Sequence, residues 1–176
     1  MTQFTELQPG RQRLKRGYLK CMLWFFGRAV QAAARVDPGV KSEFAAMPAP
    51  YTFCLGAFPN GPYMVMEKND AGHVRHLGAS FGQTPVHLQL MFKSLDCMFL
   101  VFTFQENTTT ATARDRLFVS GDVPQACAVV RIMDMIQVLL LPKPLAKLAV
   151  KRYPAWSLAR HTLVRAQVLF RAAAGF

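Results

Sequence analysis

Hydrophobic and polar positions alternate with two different periods along this chain, and the change of period outlines its elements. Residues 11–35 repeat apolar positions at helical spacing, with Leu14, Tyr18, Cys21, Met22, Phe25 and Ala29 on one side. Arg13, Arg16, Lys20 and Arg28 line the other, with Trp24 among them. Asp37-Pro38-Gly39 reads as a helix-ending turn, and residues 40–50, with Met47-Pro48-Ala49-Pro50, as a linker. The period then drops to two. Tyr51, Phe53, Leu55 and Ala57 alternate with Thr52, Cys54 and Gly56 in a first strand. Pro59-Asn60-Gly61 predicts a tight turn with positive φ, Tyr63 to Lys68 a return strand, and Asn69 to Gly72 a second turn. His73 to Ala79 makes a third strand, and Phe81 to Pro85 a turn into a fourth. There Val86, Leu88, Leu90 and Phe92 face one way and His87 and Gln89 the other, implying one dry and one wet face.

Ser94-Leu95-Asp96 has the form of a helix start with Ser94 as cap, although the following CMFLVFTF would suit a strand equally by propensity. A polar loop is expected over Glu106 to Ala113, then a short strand, Leu117-Phe118-Val119. Ser120-Gly121-Asp122 turns the chain into a helix of about five turns that ends before Pro142, with Asp122 as cap and Pro124 near its start. This helix is apolar nearly all round. Ala126, Val129, Val130, Met133, Ile136 and Leu140 form one face, Ala128, Ile132, Met135 and Leu139 another. Arg131 and Asp134, spaced to pair, mark a narrow polar strip, and Gln137 is a polar residue on the first apolar face. Such a helix must be covered on nearly every side, either by a two-sided core or by core on one face and an apolar ligand on the other.

A strand ending in Gly-Asp and leading into a long apolar helix, after a meander and one earlier apolar helix, resembles the sterol-carrier-protein-like lipid-binding domains. The resemblance covers roughly residues 51–142, and its sharpest piece is LFVSGD at 117–122 with the helix that follows. It tips the reading of 95–102 to helix. It implies an α+β fold, with an antiparallel β-meander of about five strands packed by helices and an apolar tunnel between sheet and helices. It also implies a bound acyl chain, phospholipid, sterol or isoprenoid, and no catalytic residues. The chain departs from the animal carriers in ending Ala174-Gly175-Phe176 instead of a peroxisomal tripeptide, and in carrying basic extensions.

Charge sharpens this picture. Residues 11–36 hold seven Lys or Arg and no acid, residues 143–176 another seven and no acid, within a formal net charge of +11. The expected layout is therefore a basic helical arm over 1–47, a nearly neutral lipid-carrier-like domain over 48–142 and a basic helical extension over 143–176. Two basic arms on a neutral body point to an anionic surface, either membrane headgroups or nucleic acid. The residues expected at a membrane are Arg13, Arg16, Lys20, Trp24, Phe25 and Arg28, on the pattern of an interfacial helix; an ordinary docked helix would read the same way. No base-reading motif accompanies the basic residues, which leaves nucleic acid the less favoured partner.

The chemistry of a catalyst is scarce. Ser120 lacks a GxSxG setting, and neither a Walker loop nor a GxGxxG after a strand occurs. His73, His76 and His87 fall in neighbouring strands but do not make a zinc-ligand set, and solvated strand histidines account for them. Cys21, Cys54, Cys97 and Cys127 contain no CxxC pair and read as reduced, buried small hydrophobes. The longest unbroken apolar runs, such as Cys21–Phe26, are too short for a membrane span or a signal peptide.

The expected function is non-enzymatic lipid binding or transfer by a cytoplasmic, peripherally membrane-associated protein, with no cofactor and no metal. The alternatives are a scaffold presenting an isoprenoid or quinone-type precursor to biosynthetic enzymes, and a nucleic-acid-binding module. Expected lining residues are Leu88, Leu90, Leu95, Met98, Phe99, Phe102, Val119, Met133, Ile136 and Leu140.

Overall fold

The computed structural model describes residues 12–79, 85–140 and 158–174. Two helices, α1 (Gln12–Val36) and α2 (Pro38–Ala46), precede strands β1 (Tyr51–Ala57), β2 (Tyr63–Lys68), β3 (Val74–Gly78) and β4 (Leu88–Phe92). Helices α3 (Leu95–Phe102) and α4 (Thr108–Ala113), strand β5 (Leu117–Ser120), and helices α5 (Val123–Leu140) and α6 (Leu158–Ala174) follow. The turn at Phe81–Thr84 and the basic residues Arg11, Lys143, Lys147, Lys151 and Arg152 lie outside the described residues.

The fold is α+β, a five-stranded sheet packed by helices, with strand order β3-β2-β1-β4-β5. The sheet is mixed, not a pure antiparallel meander. β1 pairs with β2, β2 with β3 and β4 with β5 antiparallel, but β1 and β4 run parallel. Their register builds two apolar rows facing the helices: Met66, Phe53 and Leu88 in one, Met64, Leu55, Leu90 and Val119 in the other. The opposite face, expected wet behind β4, carries a small apolar cluster of its own. Cys54, Val65 and Met91 are buried there beneath Tyr63, Val86 and Phe118. Val86 thus belongs to that second face, because β4 begins only at Leu88.

Gly121 makes the junction of β5 and α5. Its φ is +126°, and a Cβ would stand 2.5 Å from the His87 carbonyl oxygen. The expected positive φ at Asn60-Gly61 is absent. Gly61 is required instead by proximity, since a Cβ would fall 2.1 Å from the Ala57 oxygen.

Two stretches expected as irregular are helical. Asp37 ends α1 but also caps α2, its carboxylate accepting from Val40 N at 3.0 Å, with Pro38 at the first helical position. Lys68, nearly buried, donates from Nζ to the carbonyls of Phe44 and Met47 and closes the other end of α2. Asn107 caps α4 by accepting from Thr110 N at 2.7 Å. Buried Glu106 then ties this helix to β5 through Arg114 and Arg116.

Helix α1 packs into the domain. Leu19, Leu23, Phe26, Val30 and Ala33 are buried, a face rotated from the strip expected, while Leu14 is 86% exposed. The sequence pattern misplaces this face because α1 meets several layers at once: α2, α3, α5, α6 and the sheet edge at β2 and β3. His76 of β3 is correspondingly not a solvated histidine. Its ring sits against Gly27 of α1, and burial together with nearby Arg28 pushes its pKa down. Both faces of α5 are buried, as a two-sided core requires. Arg131 pairs with Glu43 of α2 at 2.9 and 3.0 Å and not with Asp134. By length and composition α5 could cross a membrane, in contrast to the expectation from unbroken runs, yet half of it is packed inside the domain.

Candidate functional site

An apolar cavity of about 160 Å³ lies among α1, α3 and α5. Phe26, Val101, Phe102 and Gln137 form its buried floor, and half-buried Met22, Phe25, Phe104 and Leu140 form its rim. Strand residues take no part in this lining. The space therefore lies between helices and not directly on the sheet, whose helix-facing side chains Leu88, Leu90 and Phe92 are fully buried in the closed core.

Three contacts hold α1 and α3 apart at a fixed distance. Lys15 pairs with Asp96 at 2.6 Å, the Tyr18 hydroxyl donates to the Phe102 carbonyl at 3.1 Å, and the Tyr18 and Phe99 rings meet edge-on at 5.6 Å. Phe26 and Phe102 likewise meet edge-on, at 6.1 Å. Burial pushes the Tyr18 phenol above its ordinary pKa, so it remains a donor. α3 terminates in a turn where Phe104, at φ +60°, takes the position glycine usually fills, and Gln105 N donates back to Leu100 O. That backbone conformation is disfavoured by about 1–2 kcal/mol, and it sets the Phe104 ring on the cavity rim.

Gln137 is the polar exception. It is 7% exposed, and its buried Oε1 has no hydrogen-bond partner among the described residues. A buried acceptor left unsatisfied costs about 1–3 kcal/mol.

Of the ten residues expected to line a tunnel, the cavity brings together Phe102 and Leu140. Leu88, Leu90, Leu95, Met98, Met133 and Ile136 are buried core, Phe99 packs on Tyr18, and Val119 at the sheet edge is 40% exposed. Of the residues expected at a membrane, Phe25 lines the cavity. Arg13 and Lys20 are exposed and Trp24 half-exposed; Arg16 donates to the Asn60 carbonyl. Arg28 stacks on Trp24 at 5.0 Å and donates to the Ala172 carbonyl. Met22, Phe26, Val101, Phe104 and Gln137 are the lining residues that the sequence reading passed over. Gln137 alone had left a signal, as a polar residue on an apolar helix face.

The other chemical groups do not assemble into a site. The described residues contain no cluster of three or more potential metal ligands. His87 accepts from Thr52 N through Nδ1 and stacks on Tyr51, while His73 is exposed ahead of β3. All four cysteines are free, but only Cys54 is fully buried, its thiol pushed up to about 12 by desolvation. Cys21 and Cys127 are exposed, because the helix faces that carry them turn outward.

No protein-family model matches the chain. No curated protein matches it either. Among solved structures it is similar to a UbiJ-SCP2 ubiquinone synthesis protein, at 13% identity over 73% of this chain and 99% of that one, with a TM-score of 0.41. It is similar to the apo form of sterol carrier protein 2 from Yarrowia lipolytica at 13% identity, over 64% and 87% of the two chains, with a TM-score of 0.44. A third similar structure is sterol carrier protein domain 2 of Helicoverpa armigera, at 13% identity over 87% of this chain and all of that one, with a TM-score of 0.40. All three of these solved structures are sterol-carrier-protein or SCP2 proteins, similar to this chain at TM-scores of 0.40 to 0.44.

Proposed function

We propose that the protein binds a lipid or related apolar molecule non-catalytically in the helix-lined cavity, and exchanges it at an anionic membrane surface. The cavity itself carries this reading: seven of the eight described residues that line it are apolar. Its volume limits what it seats. An engineered protein cavity of about 150 Å³ holds one benzene ring, so about 160 Å³ takes a ring or a segment of about six carbons. A longer chain would lie along the rim. Each methylene transferred from water contributes about 0.8 kcal/mol.

The rim supports the membrane half of the proposal. Leu14 and Tyr18, 86% and 39% exposed, continue along α1 on the side of Phe25, and basic Arg13 and Lys20 flank them. An apolar strip with cations beside it suits a headgroup boundary, where each cation contributes about 1 kcal/mol. The test is sedimentation with vesicles, together with organic extraction and mass spectrometry of protein purified from its own host. Expected are binding to phosphatidylserine vesicles that weakens with salt, little binding to phosphatidylcholine, and a co-purifying apolar compound. Tight, salt-steep binding to DNA without vesicle binding would overturn the membrane half, and protein free of any extractable ligand that also ignores an acyl probe would overturn the carrier reading.

A further inference from the structure

A second cleft, of about 510 Å³, opens between the last turn of α1, the helix α2 and the turn from β2 into β3. Its walls are mostly small or apolar, and the charged groups that line it are all of one sign: Arg35, Lys41 and Lys68, with His73 beside them. We infer that this cleft binds a phosphate monoester, held by Arg35 and Lys41 and favoured by the buried charge of Lys68. It shares no lining residue with the cavity among α1, α3 and α5, and it does not rest on the apolar-ligand reading. Along α1 the two are separated by the eight residues from Phe26 to Ala34, about 12 Å of helical rise.

The charge of the ligand follows from what the cations lack. Lys68 is 7% exposed, and its Nζ donates to the carbonyls of Phe44 and Met47 at 2.8 and 2.6 Å. Those bonds use two of its three donors and leave its charge unneutralised, since no carboxylate pairs with it among the described residues. Arg35 and Lys41 are exposed and likewise form no ion pair among the described residues. The acids nearest in sequence do not line the cleft. Asp37 is 1% exposed and accepts from Val40 N, Glu43 pairs with Arg131, and Asp70 is exposed in the turn. Glu67 faces Arg75 across the strands on the other side of the sheet. Like charges gathered around one concavity focus a positive potential there, which an anion relieves. A carboxylate brings a single charge, whereas a phosphate monoester brings about two at neutral pH and three acceptor oxygens. A guanidinium fork matches those oxygens in pairs. The volume falls within the range of about 300–1,000 Å³ typical of small-molecule sites, so the alcohol part of the ester fits against the apolar walls.

The experiment is calorimetric titration of the full chain at about 0.15 M salt, where weak surface attraction is screened. The probes are glycerol phosphate, short-chain phosphatidic acid kept below its micellar concentration, and acetate. Wild type should bind both phosphates and prefer them to acetate more than tenfold. Arg35→Gln and Lys41→Gln should each weaken glycerol phosphate roughly tenfold, the effect of one charge-assisted hydrogen bond. Both side chains are exposed, so neither variant should move the melting temperature. Arg75→Gln removes the same charge from the opposite side of the sheet and should leave the affinity as it is. Tighter binding of phosphatidic acid than of glycerol phosphate, with the gain lost in Arg35→Gln, would assign the phosphate to a lipid headgroup; equal affinities would assign it to a soluble monoester. No binding of either phosphate by wild type, acetate bound as well as phosphate, or an equal loss in Arg75→Gln would overturn the assignment.

Discussion

Phe102 has the clearest consequence of any single residue. It is 5% exposed, forms part of the cavity floor, and its ring is edge-on to Phe26. Phe102→Trp directs extra volume into existing space, so acyl-probe uptake should fall several-fold with the unfolding midpoint nearly unchanged. In a close-packed setting the same substitution is overpacking and costs about 1–3 kcal/mol. Probe binding and a urea midpoint, measured on the same preparation, separate the two cases. A depressed midpoint with undiminished uptake would place the ligand elsewhere. The deeper neighbours Met98 and Ile136, both fully buried, belong to the core that holds this floor in place.

At the scale of elements, α2 positions α5 and depends on one cap. Asp37 is 1% exposed and its Oδ1 accepts from Val40 N at 3.0 Å. Asp37→Ala should lower stability by about 1–2 kcal/mol, and Asp37→Asn, which retains an acceptor, should recover most of it. Chemical denaturation of the three proteins checks the order. Equal midpoints for alanine and wild type would show that Pro38 and the Lys68 contacts suffice to hold the helix. The exposed Arg131–Glu43 pair between α5 and α2 contributes little by comparison, because solvent screens it.

For the whole molecule, the dependence of stability on pH follows from half-buried groups whose charged forms are partly desolvated. Asp134 of α5 has its carboxyl pKa pushed up to about 6 by desolvation, from an ordinary 3.8. The folded state therefore holds this proton more tightly than the unfolded chain. Its contribution to stability falls as pH rises from about 4 to about 6 and stays low above that. His76 works in the opposite sense. Its pKa is lowered by burial and by Arg28, so its contribution falls as pH drops below 6.5. Asp134→Asn isolates the first effect. The variant should melt higher than wild type at pH 7, with the gain shrinking toward pH 4. Parallel melting curves across pH 4–8 would mean that Asp134 is solvated in the folded protein.

Much of this protein can be read from local pattern. The strands β1, β2 and β3, the cap at Ser94, the Gly121 turn and the two-sided burial of α5 depend on side-chain period and on residues with specific backbone demands, all of which act within a few positions. Asp37-Pro38 shows the same local logic misapplied, since a carboxylate followed by proline is also the start of a helix. The parallel pairing of β1 with β4 and the buried face of α1 are different in kind. Period two says that a strand has two faces, but not which strand lies beside it, and helical spacing marks an apolar side on α1 without saying which part of it meets the core. Assembly of the layers selected Leu19, Leu23 and Phe26 for the core and left Leu14 and Tyr18 on the surface. The cavity is likewise tertiary, because its walls come from positions as far apart as 22, 102 and 137 and its size depends on how closely three helices approach. Sequence alone marked Gln137 as a polar residue on an apolar face; only packing decided that its acceptor would be buried with no partner among the described residues.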